Sequence, residues 1–400
     1  MSPASRTNLR LATVFCGIVG LYDALYVIFE LSGGPRIGLA SDALPDFLVF
    51  HAAARAFFEG KLALIYDVDA FTRYQTENYS ELIASTTLFR PFLYPPTWLL
   101  MLLPFGLMAA VRAYAVFMSV TAVAATAMEG RRNLWDWLAV ITSPAAVWVV
   151  LAGQNTFFSL ALLYGGLRLL DRAPAAAGLL LGLLSYKPQI LVLVPLALLA
   201  ARQWQALAWT LGTAATLSLA SAVLFGFDLW LAFFDMVREA GSPQIADQMF
   251  GRIFMQMTTL LAAARILGLP PAVAGAIQLA GALLAIAAVW HAFRHHGSSN
   301  ARTAVLVTAT FLISPYTLNY DLLLLMPVVA ALFRQASVRG LYPGERLIDV
   351  ALWLIPTLCI MLNPAGLPVT PLIILAFGAI AWARLEAQPK VELPGTATAG

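Results

Sequence analysis

Charge is what this chain has least of. Only 11% of its 400 residues are Asp, Glu, Lys or Arg, against roughly a quarter in an ordinary soluble protein. That is too little to cover the surface of a water-soluble fold. A disordered chain, a long coiled coil and a nucleic-acid binder are excluded on the same ground, because each needs polar or basic runs. The net charge of +3 points to no polyanionic partner. Cysteine is equally scarce. Cys16 and Cys359 are the only two, both in apolar stretches, so neither a disulfide framework nor a cysteine metal site is expected. There is no tandem repeat and no glycine-rich nucleotide loop. What is abundant is apolar: 60% of residues are hydrophobic, and mean hydropathy is +0.80. The composition is that of an all-α polytopic membrane protein.

Apolar runs, oriented by Arg and Lys, give twelve crossings. They fall at 9–31, 93–128, 135–152, 155–170, 175–187, 189–201, 206–225, 272–293, 301–316, 321–333, 347–362 and 368–383. Arg6 and Arg10 precede the first run, which continues past Leu25 without a small-residue cleavage site, so it reads as a retained anchor. With both termini cytoplasmic, Arg131, Arg132, Arg172, Arg202, Arg294, Arg334, Arg339, Arg384 and Lys390 all fall inside. Residues 93–128 are too many for one crossing, which leaves 93–110 to re-enter or lie along the interface. Residues 1–387 read as a single membrane domain, with a large outer loop at 32–92, a second at 226–271 carrying interfacial helices, and a disordered cytoplasmic tail at 388–400.

Several of these spans hold only about 13–16 residues, where roughly 20 are needed to cross. They meet in pairs at polar tips: Gly153-Gln154-Asn155, Tyr186-Lys187-Pro188-Gln189 and Ser314 to Asp321. Irregular backbone at membrane depth requires protein or water around it. The tips therefore predict either an outer cavity dipping into the membrane or long kinked helices with polar residues near the midplane.

The first outer loop holds the most pointed chemistry. Pro45 suits the first turn of a helix, placing Asp46 near a helix N-terminus where the dipole favours an ionised carboxylate. Val49, Phe50, Ala53 and Phe57 share roughly one face, predicting an amphipathic helix along the membrane surface that ends at Gly60. A carboxylate there can serve as general base on a hydroxyl; equally, Asp42 or Asp46 can simply cap the helix. Arg90 precedes Tyr94-Pro95-Pro96, where it suits either a lipid phosphate or a topology anchor. Lys187 lies between two apolar halves, at a cost of about 2.5–3.5 kcal/mol. It either binds a phosphate in an interior cavity or snorkels to the interface. Gln154 and Asn155 suit sugar hydroxyls or helix capping, and Asn319, Tyr320 and Asp321 form a third polar cluster. No metal signature is evident. His51 stands alone, and His291, His295 and His296 beside Arg294 read as a positive cytoplasmic loop.

These residues resemble glycosyltransferase family 87. Asp46-Phe47-Leu48-Val49-Phe50-His51-Ala52-Ala53 through Gly60 to Tyr66 is similar to that family's first outer loop. Tyr94-Pro95-Pro96, Gly153-Gln154-Asn155, Lys187-Pro188 and Ser314-Pro315 match its short motifs in order, from about residue 40 to 330. One departure stands out: a histidine often follows the late Ser-Pro, and here Asn319, Tyr320 and Asp321 stand there. The resemblance implies a GT-C-type bundle in a bacterial cytoplasmic membrane, with its active site facing the exterior. It implies a polyprenyl-phosphate hexose donor, mannose foremost, and a lipid or glycan acceptor, with inversion and no cofactor or nucleic acid. Asp46 would be the base. Lys187 and Arg90 would contact the donor phosphate. Asp42, Tyr94, Gln154, Asn155, Tyr186, Asn319 and Tyr320 would line the substrate site. Two further classes fit the broken helices: a transporter or flippase for lipid-linked glycans, and a non-catalytic assembly subunit.

Overall fold

The structure, a computed structural model, describes residues 45–80, 82, 91–129, 140–240, 253–297 and 299–387. Asp42, Arg90, the first apolar run, Arg131, Arg132 and the 388–400 tail lie outside them. Among the described residues the chain is helical throughout, with only isolated bridges such as Met257 to Leu318.

The helices run in order α1 (Pro45–Phe58), α2 (Val68–Asn78), α3 (Pro96–Gly106), α4 (Ala110–Glu129), α5 (Pro144–Ala152), α6 (Thr156–Leu169), α7 (Pro174–Leu183), α8 (Pro188–Leu191) and α9 (Val194–Ala200). After them come α10 (Trp204–Phe225), α11 (Phe227–Ala240), α12 (Leu260–Ile266), α13 (Pro271–His295), α14 (Asn300–Ile313), α15 (Met326–Arg339), α16 (Glu345–Leu362) and α17 (Thr370–Glu386). Short 3₁₀ turns fill Leu184–Tyr186 and Asn319–Leu325. Proline opens α3, α5, α7, α8 and α13, where its missing N–H costs nothing and its fixed φ presets the first turn. Ser143 and Ser299 cap α5 and α14, accepting from the N–H of Ala146 and Arg302.

Helices α4, α10 and α13 are long and apolar enough to cross a membrane. Pro96–Gly106, Thr156–Leu169, Pro174–Tyr186, Pro188–Ala200 and Asn300–Ile313 are apolar but shorter. The contacts fix how the short ones run. Gly178 abuts Ala206 and Gly182 abuts Thr210; a β-carbon would fall 2.4 and 2.6 Å from those carbonyl oxygens, so α7 and α10 pack nearly backbone to backbone and parallel. Helix α9 turns back into α10 within four residues, so it runs against α7. The chain therefore reverses at Tyr186-Lys187-Pro188 in a hairpin, not a kinked continuous helix. Each arm of 13 residues is about 20 Å long, short of an apolar core of about 30 Å.

Helix α6 is antiparallel to α7, with Ser159 beside Tyr186 and Gly166 against Leu181. Helix α14 is antiparallel to α13, with Gln278 donating to the carbonyls of Leu312 and Ile313 and Arg302 lying over the Phe293 ring. The three polar tips thus share one end of the bundle. Residues Asp171, Gln203, His296, Arg302, Gly340, Arg384 and Glu386 share the other, joined by Gln203 to Asp171, Arg302 to the His296 carbonyl and Arg384 to the Gly340 carbonyl.

One expectation needs correction. Helix α1 starts at Pro45 as expected, but it does not lie on a surface. Phe47, Leu48, Phe50, Ala52, Ala53, Ala54 and Ala56 are all buried, because α3 and α4 wrap the faces its sequence pattern left unassigned. The run 93–128, too long for one crossing, divides into α3 and α4. Helix α3 lies parallel to α1, with Phe50 near Trp98 and Ala54 against Gly106, and its 11 residues are too short to span an apolar core of about 30 Å.

Candidate active site

The site forms where the polar tips meet the N-terminus of α1. Asp46, in the first turn of α1 and half-buried, accepts a hydrogen bond from the Gln154 side-chain amide at 2.7 Å. The Gln154 carbonyl oxygen accepts in turn from the Tyr94 hydroxyl at 3.1 Å and the Asn155 backbone N–H at 3.3 Å. The contact depends on Gly153. This residue caps α5 at φ +70°, and a β-carbon on it would sit 2.5 Å from the Phe47 β-carbon. Only glycine supplies that backbone conformation with nothing in the way, so α1 can close on the tip.

Behind this, Lys187 is 2% exposed and 2.5 Å from Asp321. It also donates to the Asn155 side-chain carbonyl at 3.3 Å and lies 5.8 Å from the Tyr320 ring centroid. Asp321 accepts further from the Leu318 backbone N–H at 3.1 Å and the Thr156 hydroxyl at 3.4 Å. Both members of the ion pair are therefore hydrogen-bonded, with two of the three Lys187 donors taken, which is how a buried charge is tolerated. Snorkelling is excluded for Lys187 in this structure, since its ammonium points into protein. Tyr316 and Tyr320 lie close enough to Asp46 and Asp321 to feel both carboxylates, which places the two acids around one aromatic cluster.

The sequence-derived residues divide by placement. Asp46, Tyr94, Gln154, Asn155 and Lys187 form one connected hydrogen-bonded network with Asp321. Tyr186 is adjacent but occupied: fully buried, it bonds Ser159 through its hydroxyl at 2.7 Å and stacks on Trp98 at 4.3 Å between centroids. It is a wall that fixes the Lys187 turn, not a group reaching a substrate. Asn319 is turned away, donating to the Pro356 carbonyl at 3.1 Å. Tyr320 packs under Lys187. The main omission from the expected site is Asp321. The sequence grouped it with Asn319 and Tyr320; a buried lysine's need for a counter-ion called for an acid partner without naming which one.

His51, one turn along α1 from Phe47, is also part of this scaffold. Its Nε2 lies 2.8 Å from the Met108 carbonyl, which can only accept, so Nε2 carries the hydrogen; Nδ1 then accepts from the Tyr79 hydroxyl at 2.6 Å. Burial pushes the imidazole's pKa below its usual value of 6.5, and this neutral tautomer ties α1 to the start of α4.

The described residues thus form a helical bundle with three helices long and apolar enough to cross a membrane and with its polar tips gathered at one end. The profile of glycosyltransferase family 87 matches residues 92–315, more than half of the chain, and the protein belongs to that family. The matched stretch contains Tyr94, Gln154, Asn155 and Lys187; Asp46 and Asp321 lie beyond its two ends. No curated protein and no solved structure matches the chain.

Proposed function

We propose that this membrane glycosyltransferase moves a hexose, mannose foremost, from a polyprenyl-phosphate donor to a lipid or glycan hydroxyl, inverting the anomeric carbon. The observation that carries the reading is a half-buried carboxylate, Asp46, held by a neutral amide on the same network as a buried ammonium, Lys187. A single inverting displacement needs both types of group. The acceptor oxygen forms a bond to C1, its proton passes to Asp46, and the C1–O bond breaks with the electron pair leaving on the phosphate. Gln154 is a neutral donor, so its bond orients the Asp46 carboxylate without contributing a counter-charge. Lys187 has three N–H donors; Asp321 and Asn155 occupy two, which leaves the third for the donor phosphate, whose growing charge it would stabilise. A lipid-linked donor accounts for a chain without a glycine-rich phosphate loop.

In this reading the chain makes the twelve crossings expected from its apolar runs, and the short hairpins reach the tips from the cytoplasmic side. The end rich in Arg172, Arg202, Arg294, Arg339 and Arg384 faces the cytoplasm of a bacterial cell, and Asp46 the exterior. The family match favours transfer over lipid flipping or a non-catalytic role. Purified protein incubated with radiolabelled polyprenyl-phosphate mannose and a membrane lipid extract is expected to yield a labelled glycolipid. No product with this or another polyprenyl-phosphate hexose, together with flipping of labelled lipid in vesicles, would replace the reading with a transporter.

A further inference from the structure

The opposite end of the bundle carries a second cluster that the transfer reaction does not use. His291 sits in the last turns of α13, and His296 caps that helix with extended backbone, φ −125° and ψ 142°, which turns its ring back toward His291. The two rings lie 5.9 Å apart between centroids. Glu386, the last residue of α17, reaches between them: its Oε1 is 2.9 Å from His291 Nε2 and 3.5 Å from His296 Nε2. One ligand atom from each of the three residues lies within 4.8 Å of the other two. The histidines that read as a basic loop in the sequence are thus brought onto a carboxylate 90 residues further on.

We propose that His291, His296 and Glu386 bind a transition-metal ion, Zn²⁺ in the first instance. Two imidazole nitrogens with one carboxylate oxygen form a set that suits zinc, whereas magnesium and calcium prefer all-oxygen sites. Tetrahedral zinc with bonds of about 2.0–2.2 Å places its ligands about 3.3–3.6 Å apart, so the separations here need only small side-chain rotations. The room exists, since the His291 and Glu386 side chains are 35% and 34% exposed while His296 is fully buried. The exposed side leaves a fourth position open to water. Trp382 packs on His291 with 4.9 Å between centroids, limiting its swing. Arg302 bonds the His296 carbonyl and Arg384 bonds Glu345. The site lies about 27 Å along α13 from Gln278, which marks the tip end. Zinc there would staple the ends of α13 and α17, far from the transfer site.

The test uses detergent-purified full-length protein, freed of its affinity tag and stripped with chelator. Calorimetric titration with ZnCl₂ is expected to give one saturable site per chain, and Co²⁺ to give the intense visible bands of tetrahedral coordination. Loss of a second-sphere partner weakens metal sites 10–100-fold, so His291→Asn and Glu386→Gln, each removing a ligand, should weaken Zn²⁺ at least about tenfold. Both should also abolish the zinc-dependent rise in melting temperature. These side chains are part-exposed, so the variants are expected to fold; His296→Asn, at a buried position, is the more disruptive third. Absence of saturable binding by the wild type, or equal affinity in both variants, would reduce the cluster to an ordinary histidine–carboxylate contact.

Discussion

At the residue scale, Gln154 and His51 separate aiming from chemistry. Gln154 holds one Asp46 oxygen and takes the Tyr94 hydroxyl, so Gln154→Leu should leave the base present but unaimed. The expected result is a fall of roughly 10–100-fold in transfer rate with little change in melting temperature, read by initial rates and thermal unfolding on the same sample. His51 makes a different prediction. Its folded pKa lies below the 6.5 of the unfolded chain, chiefly because burial disfavours the charged ring, with Arg55 adding repulsion. The unfolded state therefore binds the extra proton first. This contribution to stability is fully present above about pH 6.5 and is lost as the pH falls below it. Melting temperature should drop between pH 7.5 and 5.5, and by less in His51→Gln. An equal drop in both proteins would assign the pH sensitivity elsewhere.

At the scale of elements, two contacts hold the site together. Gly153→Ala imposes a left-handed backbone on alanine and drives a β-carbon into Phe47. The strain alone costs about 1 kcal/mol, and α1 must retreat from the tip, so activity should fall more than stability. The Lys187–Asp321 pair behaves differently. Removing one partner strands a buried charge at a cost of about 3–5 kcal/mol, whereas replacing both with apolar residues of similar size is nearly neutral. Asp321→Leu should therefore express poorly. The double variant Lys187→Met with Asp321→Leu should recover the wild-type melting temperature without transfer activity, measured by detergent-phase unfolding and by labelled product.

Much of this was legible in the chain. Pro45 with Asp46 marked the start of α1, and the prolines and short apolar runs placed most helices to within a few residues, because both act locally. Met326 onward differed only in its beginning, where Asn319–Leu325 winds as a 3₁₀ turn. What local pattern could not give was partnership. Nothing near residue 47 says that α3 and α4 will bury it, and nothing near Lys187 names Asp321, 134 residues away. His291 and Glu386 were hidden for the same reason. Periodicity reports which face is apolar; it does not report what lies against it.

At the scale of the whole molecule, the bundle sorts its residues into two ends, polar tips at one and arginines at the other. In a cysteine-free background, a cysteine placed at Arg172 should react with membrane-impermeant maleimide only after the cells are opened, and one at the exposed Pro315 in intact cells. Labelling of both from the same side would refute the hairpin arrangement of α6 to α9 across the membrane.

The most direct test joins that geometry to its chemistry. Single-turnover transfer from radiolabelled polyprenyl-phosphate mannose should be measured for wild type and Asp46→Asn, with donor binding determined in the same samples. A general base contributes about 10²–10⁴-fold, so the variant should bind donor as the wild type does and transfer at least about a hundredfold more slowly. Full transfer by Asp46→Asn would contradict Asp46 as the base, and lost donor binding with an unchanged rate from bound donor would make it a binding residue instead.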